Sequence, residues 1–539
     1  MKHHTLISPA KIAIILLLQS IQSTTSYITT GLPGPKHRAW LTEMTIEVCD
    51  TAPGELSQEM CSKAPQLLSA WAQNPYVPHT KHKTHTNTFP HHGKECAILC
   101  EKLLKRLVDE RRAGNRNAVA TTQTYNALID VWSRSGEKAA AAQRAEEIVI
   151  GMQDAYSSGQ DDVQPDLESF RHVLKAWSQA KGEEDASYRA QRLLEWMVWL
   201  YDSGENKSVQ PDADCFDLVI QSIASSKDPD APQRTEKLIT YMDRLYQKGN
   251  EKAKPTRMSF NQVMAAWSRS KKPGSAQRAE DILNRMTVLS KVSEEHNRDL
   301  SPSIASYSAV IAAWAKSGDD DCGRKAERIL KQAEHRFRAH NDLQLMPDTI
   351  MYNLVIDAHA KTSSSKGHLR ARSVLDRQIS LYKSGNKKCK PDVYTFTSVL
   401  SSCASLGGSK RTKLQAFEIA HSTFEEMSRS NVVPNHVTYG TMLKACSRLL
   451  PLGKDRRKYT REYFRSACQD GCVGDMVMRR LQLAASPVQY KGLLKGYMTG
   501  DFPTEWTCNV SEREMYSKKN KNSSSKQKNN KFSKNELWP

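Results

Sequence analysis

Thr122-Gln123-Thr124-Tyr125-Asn126-Ala127-Leu128-Ile129-Asp130-Val131-Trp132 is the stretch that decides the fold of this 539-residue chain. Tyr125, Leu128, Ile129 and Trp132 stand at offsets 0, 3, 4 and 7, which gathers them on one side of an α-helix. An aromatic residue then returns seven times, as Phe170, Phe216, Phe260, Tyr307, Tyr352, Phe396 and Tyr439. The successive gaps are 45, 46, 44, 47, 45, 44 and 43 residues. A period of this size marks one supersecondary unit stacked many times. It suits a long repetitive ligand better than a small molecule in one pocket.

With Thr122 as position one, the aromatic is position four, and the apolar face repeats with it. Position seven is Leu128, Val173, Val219, Val263, Val310, Val355, Val399 and Met442. Position eleven is Trp132, Trp177, Ile223, Trp267, Trp314, His359, Cys403 and Cys446. Position ten is mostly Ala or Ser, which lets a neighbouring helix approach closely. A second helix opens with Gln143-Arg144-Ala145-Glu146, Tyr188-Arg189-Ala190-Gln191, Gln233-Arg234-Thr235-Glu236 and Gln277-Arg278-Ala279-Glu280, then more loosely with Arg324-Lys325-Ala326-Glu327. A Gly-containing loop follows, and Pro165, Pro211, Pro255, Pro302, Pro347, Pro391 or Pro434 closes the unit. Proline keeps that loop out of either helix and favours an extended residue before it. The expected fold is all-α, an α-solenoid of stacked helix-turn-helix repeats.

The expected organisation is a targeting presequence at 1–42, a degenerate N-terminal repeat with a His-rich loop at 43–120, seven repeats at 121–435, a divergent C-terminal repeat or cap at 436–515, and a Lys-rich disordered tail at 516–539. The first acidic residue is Glu43; before it come an apolar run from Ile12 to Leu18 and a Ser/Thr-rich stretch. The run is too short for a membrane span. It resembles a signal-peptide core followed by an organellar presequence, as in a bipartite plastid leader, with a mitochondrial presequence as the rival. No stable membrane insertion of the mature chain is expected. The charge balance is 78 Lys plus Arg against 59 Asp plus Glu, a formal net of +19, which favours a polyanionic partner. Twelve scattered cysteines point to a reducing compartment.

The face of the first helix opposite the aromatic is polar and also repeats. Position thirteen holds Arg134, Arg269, Lys316, Lys361 and Arg448 among its eight occupants, a row that can track a phosphate backbone. The same residues complement a helix C-terminus, with or without a ligand. Position five is Asn126, Arg171, Asp217, Asn261, Ser308, Asn353, Thr397 and Gly440, where short side chains are also ordinary capping choices.

Thr124-Tyr125-Asn126-Ala127-Leu128-Ile129-Asp130 and Pro391-Asp392-Val393-Tyr394-Thr395-Phe396-Thr397 resemble pentatricopeptide repeat proteins, in a long-repeat variant. The resemblance covers 122–435 well and 436–500 weakly. It implies a right-handed superhelix that binds single-stranded organellar RNA without catalysis, one nucleotide per repeat. It also implies that position five and the last residue of each repeat read the base edge. Transferred by position, Asn126 with Asp166 implies U, Asn261 with Ser303 C, Ser308 with Asp348 G, Asn353 with Asp392 U, and Thr397 with Asn435 A. Arg171 with Asp212 and Asp217 with Thr256 match no familiar pair, so the implied string is U-N-N-C-G-U-A. The units exceed the family length of about 35 residues by roughly ten. Position two departs as well: Ile350 and Val437 fit the family's aliphatic wedge, whereas Gln123, Glu168 and Asp214 do not. Repeats four to seven are therefore the expected RNA contacts.

The loop with His79, His82, His85, His91 and His92, near Cys96 and Cys100, matches no zinc-finger spacing and reads as solvated. No cofactor and no metal are expected, and no catalytic motif is visible. Three readings stay open: an organellar RNA-binding protein acting in RNA processing, stability or translation; a helical-repeat protein–protein scaffold in an organellar ribosome or assembly complex; and an RNA-processing enzyme with a divergent active site.

Overall fold

The structure, a computed structural model, describes residues 35–52, 55–73, 93–292, 300–340, 345–362, 366–494, 497 and 502–510. The leader through residue 34, the His-rich loop and the Lys-rich tail lie outside the described residues. Every regular element among the described residues is helical. The chain divides into two compact units, 1–255 and 256–539.

Among the described residues the first unit holds α1 Pro35–Asp50, α2 Gln58–Gln73, α3 Gly93–Arg112, α4 Thr122–Arg134, α5 Lys138–Ser157, α6 Leu167–Gln179, α7 Ala186–Ser203, α8 Ala213–Ser225 and α9 Ala231–Gln247. The second holds α10 Arg257–Arg269, α11 Ser275–Val292, α12 Ile304–Lys316, α13 Cys322–His340, α14 Thr349–Lys361, α15 Gly367–Lys383, α16 Val393–Ala404, α17 Lys410–Arg429, α18 His436–Leu449, α19 Lys454–Gln469, α20 Asp475–Ala484, α21 Pro487–Leu494 and α22 Thr504–Thr507. The helix that carries the aromatic is helix A of each repeat, and the one after it is helix B. The folded array begins inside the segment expected to be leader, because α1 starts at Pro35 and Leu41 is fully buried.

The aromatic at position four is core. Phe170, Phe216, Phe260, Tyr352 and Phe396 are fully buried, and Tyr125 is half-buried at the first good repeat. Phe170 meets Trp196 edge to face at 5.2 Å between ring centres, and Phe216 meets Tyr241 at 6.0 Å. Such contacts add to the gain from burying the ring. Tyrosines at this position bring a hydroxyl that must be paired: Tyr352 Oη donates to Glu334 at 2.6 Å, and Tyr439 Oη donates to Asp470.

At three A helices position eleven bonds the B helix before it. Trp177 Nε1 donates to Glu146 at 2.9 Å, Trp314 Nε1 to Glu280 at 2.9 Å, and His359 Nε2 lies 3.1 Å from Glu327. Those three glutamates are the last residues of the recurring Arg/Lys-Ala-Glu stretch. The arginine of the same stretch reaches back one repeat, as Arg144 to Glu101, Arg189 to Glu146 at 3.6 Å and Arg234 to Gln191 at 2.8 Å. The motif is thus a ladder of polar bonds between successive B helices.

In three units the extra length forms an ordered turn among the described residues. After helix B, Gly204, Gly249 and Gly385 take φ of 85°, 100° and 108°, a left-handed conformation that reverses the chain at low cost for glycine. The following asparagine then reaches across the repeat. Asn206 Nδ2 donates to Pro165 O at 2.9 Å, Asn250 Nδ2 to Pro211 O at 3.1 Å and Asn386 Nδ2 to Pro347 O at 3.1 Å. A 3₁₀ turn comes next and buries one small or apolar side chain, Val209, Ala253 or Cys389. The added residues are therefore a buttress between consecutive prolines.

Phe396→Ala should destabilise the second unit by about 3–5 kcal/mol, read as an earlier urea transition of helical circular dichroism. Glu327 gives a pH test. The hydrogen bond from His359 first, and Lys331 second, hold its carboxyl down at about 2. Because the folded value is depressed, its stabilisation is complete above about pH 4.5 and is lost as pH falls toward 2. Wild type should lose about 2–3 kcal/mol more than Glu327→Gln across that window.

Candidate nucleic-acid interface

The first N–H groups of every A helix need acceptors. The last residue of the preceding repeat supplies one. Asp166 accepts from Ser169 N at 2.9 Å, Asp212 from Cys215 N at 3.0 Å, Thr256 from Ser259 N at 3.1 Å and Asp348 from Met351 N at 2.9 Å. Asp392 accepts from Thr395 N at 2.8 Å, and Asn435 from Thr438 N at 3.0 Å. Ser303 stands at the same place before α12, its N–H donating to Ser306 Oγ at 3.0 Å. The capping role offered above for position five belongs to this residue instead, since position five lies one turn inside the helix.

Position five nevertheless reaches the cap of the next helix. Asn126 Nδ2 donates to Asp166 Oδ1 at 3.0 Å, and Asn353 Nδ2 donates to Asp392 Oδ1 at 3.3 Å. Asn261 and Ser303 are joined through Ser306, whose hydroxyl lies 2.6 Å from Asn261 Oδ1 and 3.4 Å from Ser303 Oγ. Thr397 and Asn435 are joined through Thr438, with Oγ1 atoms 3.0 Å apart and Thr438 donating to Asn435 at 3.1 Å. Ser308 and Asp348 make no side-chain hydrogen bond to each other among the described residues. The linking hydroxyl at position three, in Ser169, Ser306 and Thr438, was not singled out from sequence. Its signal is a hydroxyl residue three places after the cap, the capping-box spacing.

These clusters are not equally saturated. Asn126 has both ends engaged, because Ser169 Oγ donates to its Oδ1 at 2.6 Å. Asn353 differs: it is 8% exposed, its Oδ1 has no hydrogen-bond partner, and the corresponding hydroxyl of Thr395 donates to Asp392 at 2.8 Å instead. Arg171 is closed off altogether. It forms ion pairs with Asp212 and Glu168 and lies 4.0 Å from Asp214.

Position thirteen contains two kinds of cation. Arg134 pairs with Asp130 at 2.5 Å and donates to Ala72 O at 2.8 Å, while Lys361 donates to Ala315 O at 3.3 Å. Both therefore complement the C-terminal carbonyls of the preceding A helix, as dipole reasoning anticipates. Lys316 and Arg448 are exposed, and partial burial lowers the pKa of Arg269. Lys444 was not singled out from sequence. It donates to Ser405 at 2.9 Å, and burial first, then Arg480 and Arg448, lower its pKa. Three cations thus crowd the end of α18 and the face of α20. At position two, Ile350, Met258 and Tyr394 are 64%, 57% and 54% exposed, so this side of the A helices presents apolar as well as polar groups to solvent.

Among the described residues no three His, Cys, Asp or Glu side chains cluster as a metal site, and no helix is long and apolar enough to cross a membrane. Cys100 and Cys446 are fully buried.

Residues 381–448 match the family model of the pentatricopeptide repeat domain. The chain is similar to the crystal structure of the pentatricopeptide repeat protein PPR10 from maize, at 16% identity and a TM-score of 0.47, over 99% of this chain. It spans 65% of the length of that protein. No curated protein matches the sequence.

Asp392 separates capping from ligand contact. Asp392→Ala should cost about 1–2 kcal/mol and Asp392→Asn less than about 0.5, because asparagine caps equally well. Paired thermal melts of the two variants check this.

Proposed function

We propose that this pentatricopeptide repeat protein binds single-stranded RNA along the flank of its A helices. It would act without catalysis in the processing, stability or translation of an organellar transcript. One observation carries the reading: the position-five side chain and the last residue of its repeat meet side by side, as Asn126 does Asp166 and Asn353 does Asp392. An amide beside a carboxylate offers both donor and acceptor character to a base edge, which single-stranded RNA leaves free. Repeats four to seven supply the reading pairs Asn261 with Ser303, Ser308 with Asp348, Asn353 with Asp392, and Thr397 with Asn435. Arg269, Lys316 and Arg448 supply phosphate contacts, with Lys444 and Arg480 beside the last of them. Met258, Ile350 and Tyr394, which are exposed, would wedge between bases. Asn126 with Asp166 reads in the first repeat, while the locked Arg171 leaves its repeat silent.

The organellar assignment rests on the acid-free leader, with plastid and mitochondrion as the two destinations. A protein scaffold is the second reading. It is favoured by Arg134 and Lys361, whose charges serve backbone carbonyls. Salt separates the two, because RNA affinity held by several phosphate contacts falls steeply as salt rises.

The base-reading claim is tested by moving one pair within the protein. Asn353→Thr with Asp392→Asn installs in repeat six the pair found in repeat seven. Selection from randomised RNA should then exchange U for A at that one position, with other positions unchanged. Enrichment that is identical for the two proteins would rule the pairing out.

A further inference from the structure

Helix α19, the B-side helix of the last repeat, breaks the ladder seen elsewhere. On several other B helices an arginine meets a carboxylate of a neighbouring B helix, as Arg144 does Glu101, Arg328 does Glu280 at 2.6 Å and Arg372 does Glu426. On α19, Lys454, Arg457, Lys458, Arg461 and Arg465 recur at spacings of three and four, which places them along one flank. All five are exposed, and no carboxylate lies within ion-pair distance of any of them among the described residues. Together they line a shallow depression that holds a single carboxylate, Glu462.

The stripe is held rigidly. Arg456 points the other way and donates to Ala484 O at 2.9 Å and to Leu483 O at 2.6 Å, closing the end of α20. Gln489 Nε2 donates to Arg457 O at 2.7 Å. On the buried side Tyr463 and Phe464 anchor the helix in the core. Like charges three and four residues apart each destabilise a helix by a few tenths of a kcal/mol. The helix's own carboxylates, Asp455 and Glu462, form no ion pair with the row among the described residues, so most of its charge is open to an external counter-charge.

We propose that this flank of α19 is a second, sequence-independent RNA site, which holds backbone phosphates flanking the segment read on the A helices. It rests on the proposal that the chain binds RNA. Residues 454–465 extend about 16 Å at the helical rise, a distance over which an RNA strand presents several phosphates. Three of the five cations are arginines, whose planar fork matches phosphate oxygens in pairs. Apart from Tyr459, the stripe carries no aromatic platform and none of the amides that read bases. Charge is what it offers.

The test uses the full chain, fluorescence anisotropy and two RNAs: the selected core sequence alone, and the same core with about twelve added homopolymer nucleotides. The variant Arg457→Gln/Arg461→Gln/Arg465→Gln is compared with wild type and with the matching triple Arg→Lys variant. Circular dichroism verifies that each is folded. Wild type should bind the extended RNA about tenfold more tightly than the core. The Gln variant should lose that gain, keep its affinity for the core, and show a salt slope smaller by about 2 for the extended RNA, at about 0.7 per phosphate contact. The Lys variant should keep the gain. An equal gain and slope in wild type and Gln variant overturn the inference alone, leave the A-helix reading intact, and turn the surface over to an acidic protein partner. No binding of either RNA by wild type overturns the A-helix reading, and this inference with it.

Discussion

Each A helix that carries the aromatic buries position three, and with it an N–H that needs a protein acceptor: Thr124, Ser169, Cys215, Ser259, Ser306, Met351, Thr395 and Thr438. The chain meets that constraint with one residue per repeat, a short acceptor placed immediately after the proline. Much of the architecture hangs on that placement. Proline fixes the extended entry, the acceptor caps the helix, and the preceding repeat's position-five side chain rests against the cap. The junction is therefore a polar hub that joins consecutive repeats and sits at the edge of the solvent-facing flank. If a base is read there, it is read by groups whose first duty is structural. That limits the useful alphabet to Asp, Asn, Ser and Thr, which are the residues found at this place in the sequence.

A second coupling runs across the stack. In three repeats the glutamate of a B helix accepts from the donor at position eleven of the next A helix. Glu146 serves Trp177, Glu280 serves Trp314 and Glu327 serves His359. Where position eleven has no donor, the acceptor is released: the residue before Ile223 in this scheme is Gln191, which accepts from Arg234 instead. A buried indole N–H without an acceptor would carry a desolvation cost, so the two positions have reason to change together. Such pairing of residues 31 to 34 apart gives a repeat array its nearest-neighbour cooperativity.

Much of the fold was legible because it is written in periodic form. The 45-residue rhythm, the 0-3-4-7 face and the terminal prolines each follow from local rules that a single chain displays many times over. Position four and position eleven were rightly assigned to the core. What could not be read was the partnering. Position five resembles a cap in composition, yet the cap is the residue after proline. Likewise, the Gly-Asn pairs near 205, 250 and 386 look like ordinary turn chemistry, and only the folded chain reveals that each asparagine spans the unit to the previous proline carbonyl. Position thirteen looked uniform, whereas Arg134 and Lys361 serve carbonyls and Lys316 remains exposed. Composition fixes a residue's capability, but the neighbour that claims it comes from a different helix.

The same principle bears on how far a position-by-position base code transfers to this chain. A reading pair is available to a ligand only if its own repeat has not already consumed it. At Arg171 three carboxylates surround one guanidinium, so a base would have to displace ion pairs rather than water. At Asn126 both ends of the amide are committed, and access requires the Ser169 hydroxyl to turn away. Asn353 carries the same letter with an unmet acceptor. That oxygen is buried, so a base N–H would meet it only after the side chain turns outward, a movement that breaks no hydrogen bond to the oxygen. Two repeats with the identical pair, Asn with Asp, are thus energetically different sites. On the proposed reading, discrimination should be stronger at the sixth repeat than at the first. The cause is the hydroxyl three residues past the cap: that of Ser169 reaches the asparagine as well as the aspartate, and that of Thr395 reaches the aspartate alone.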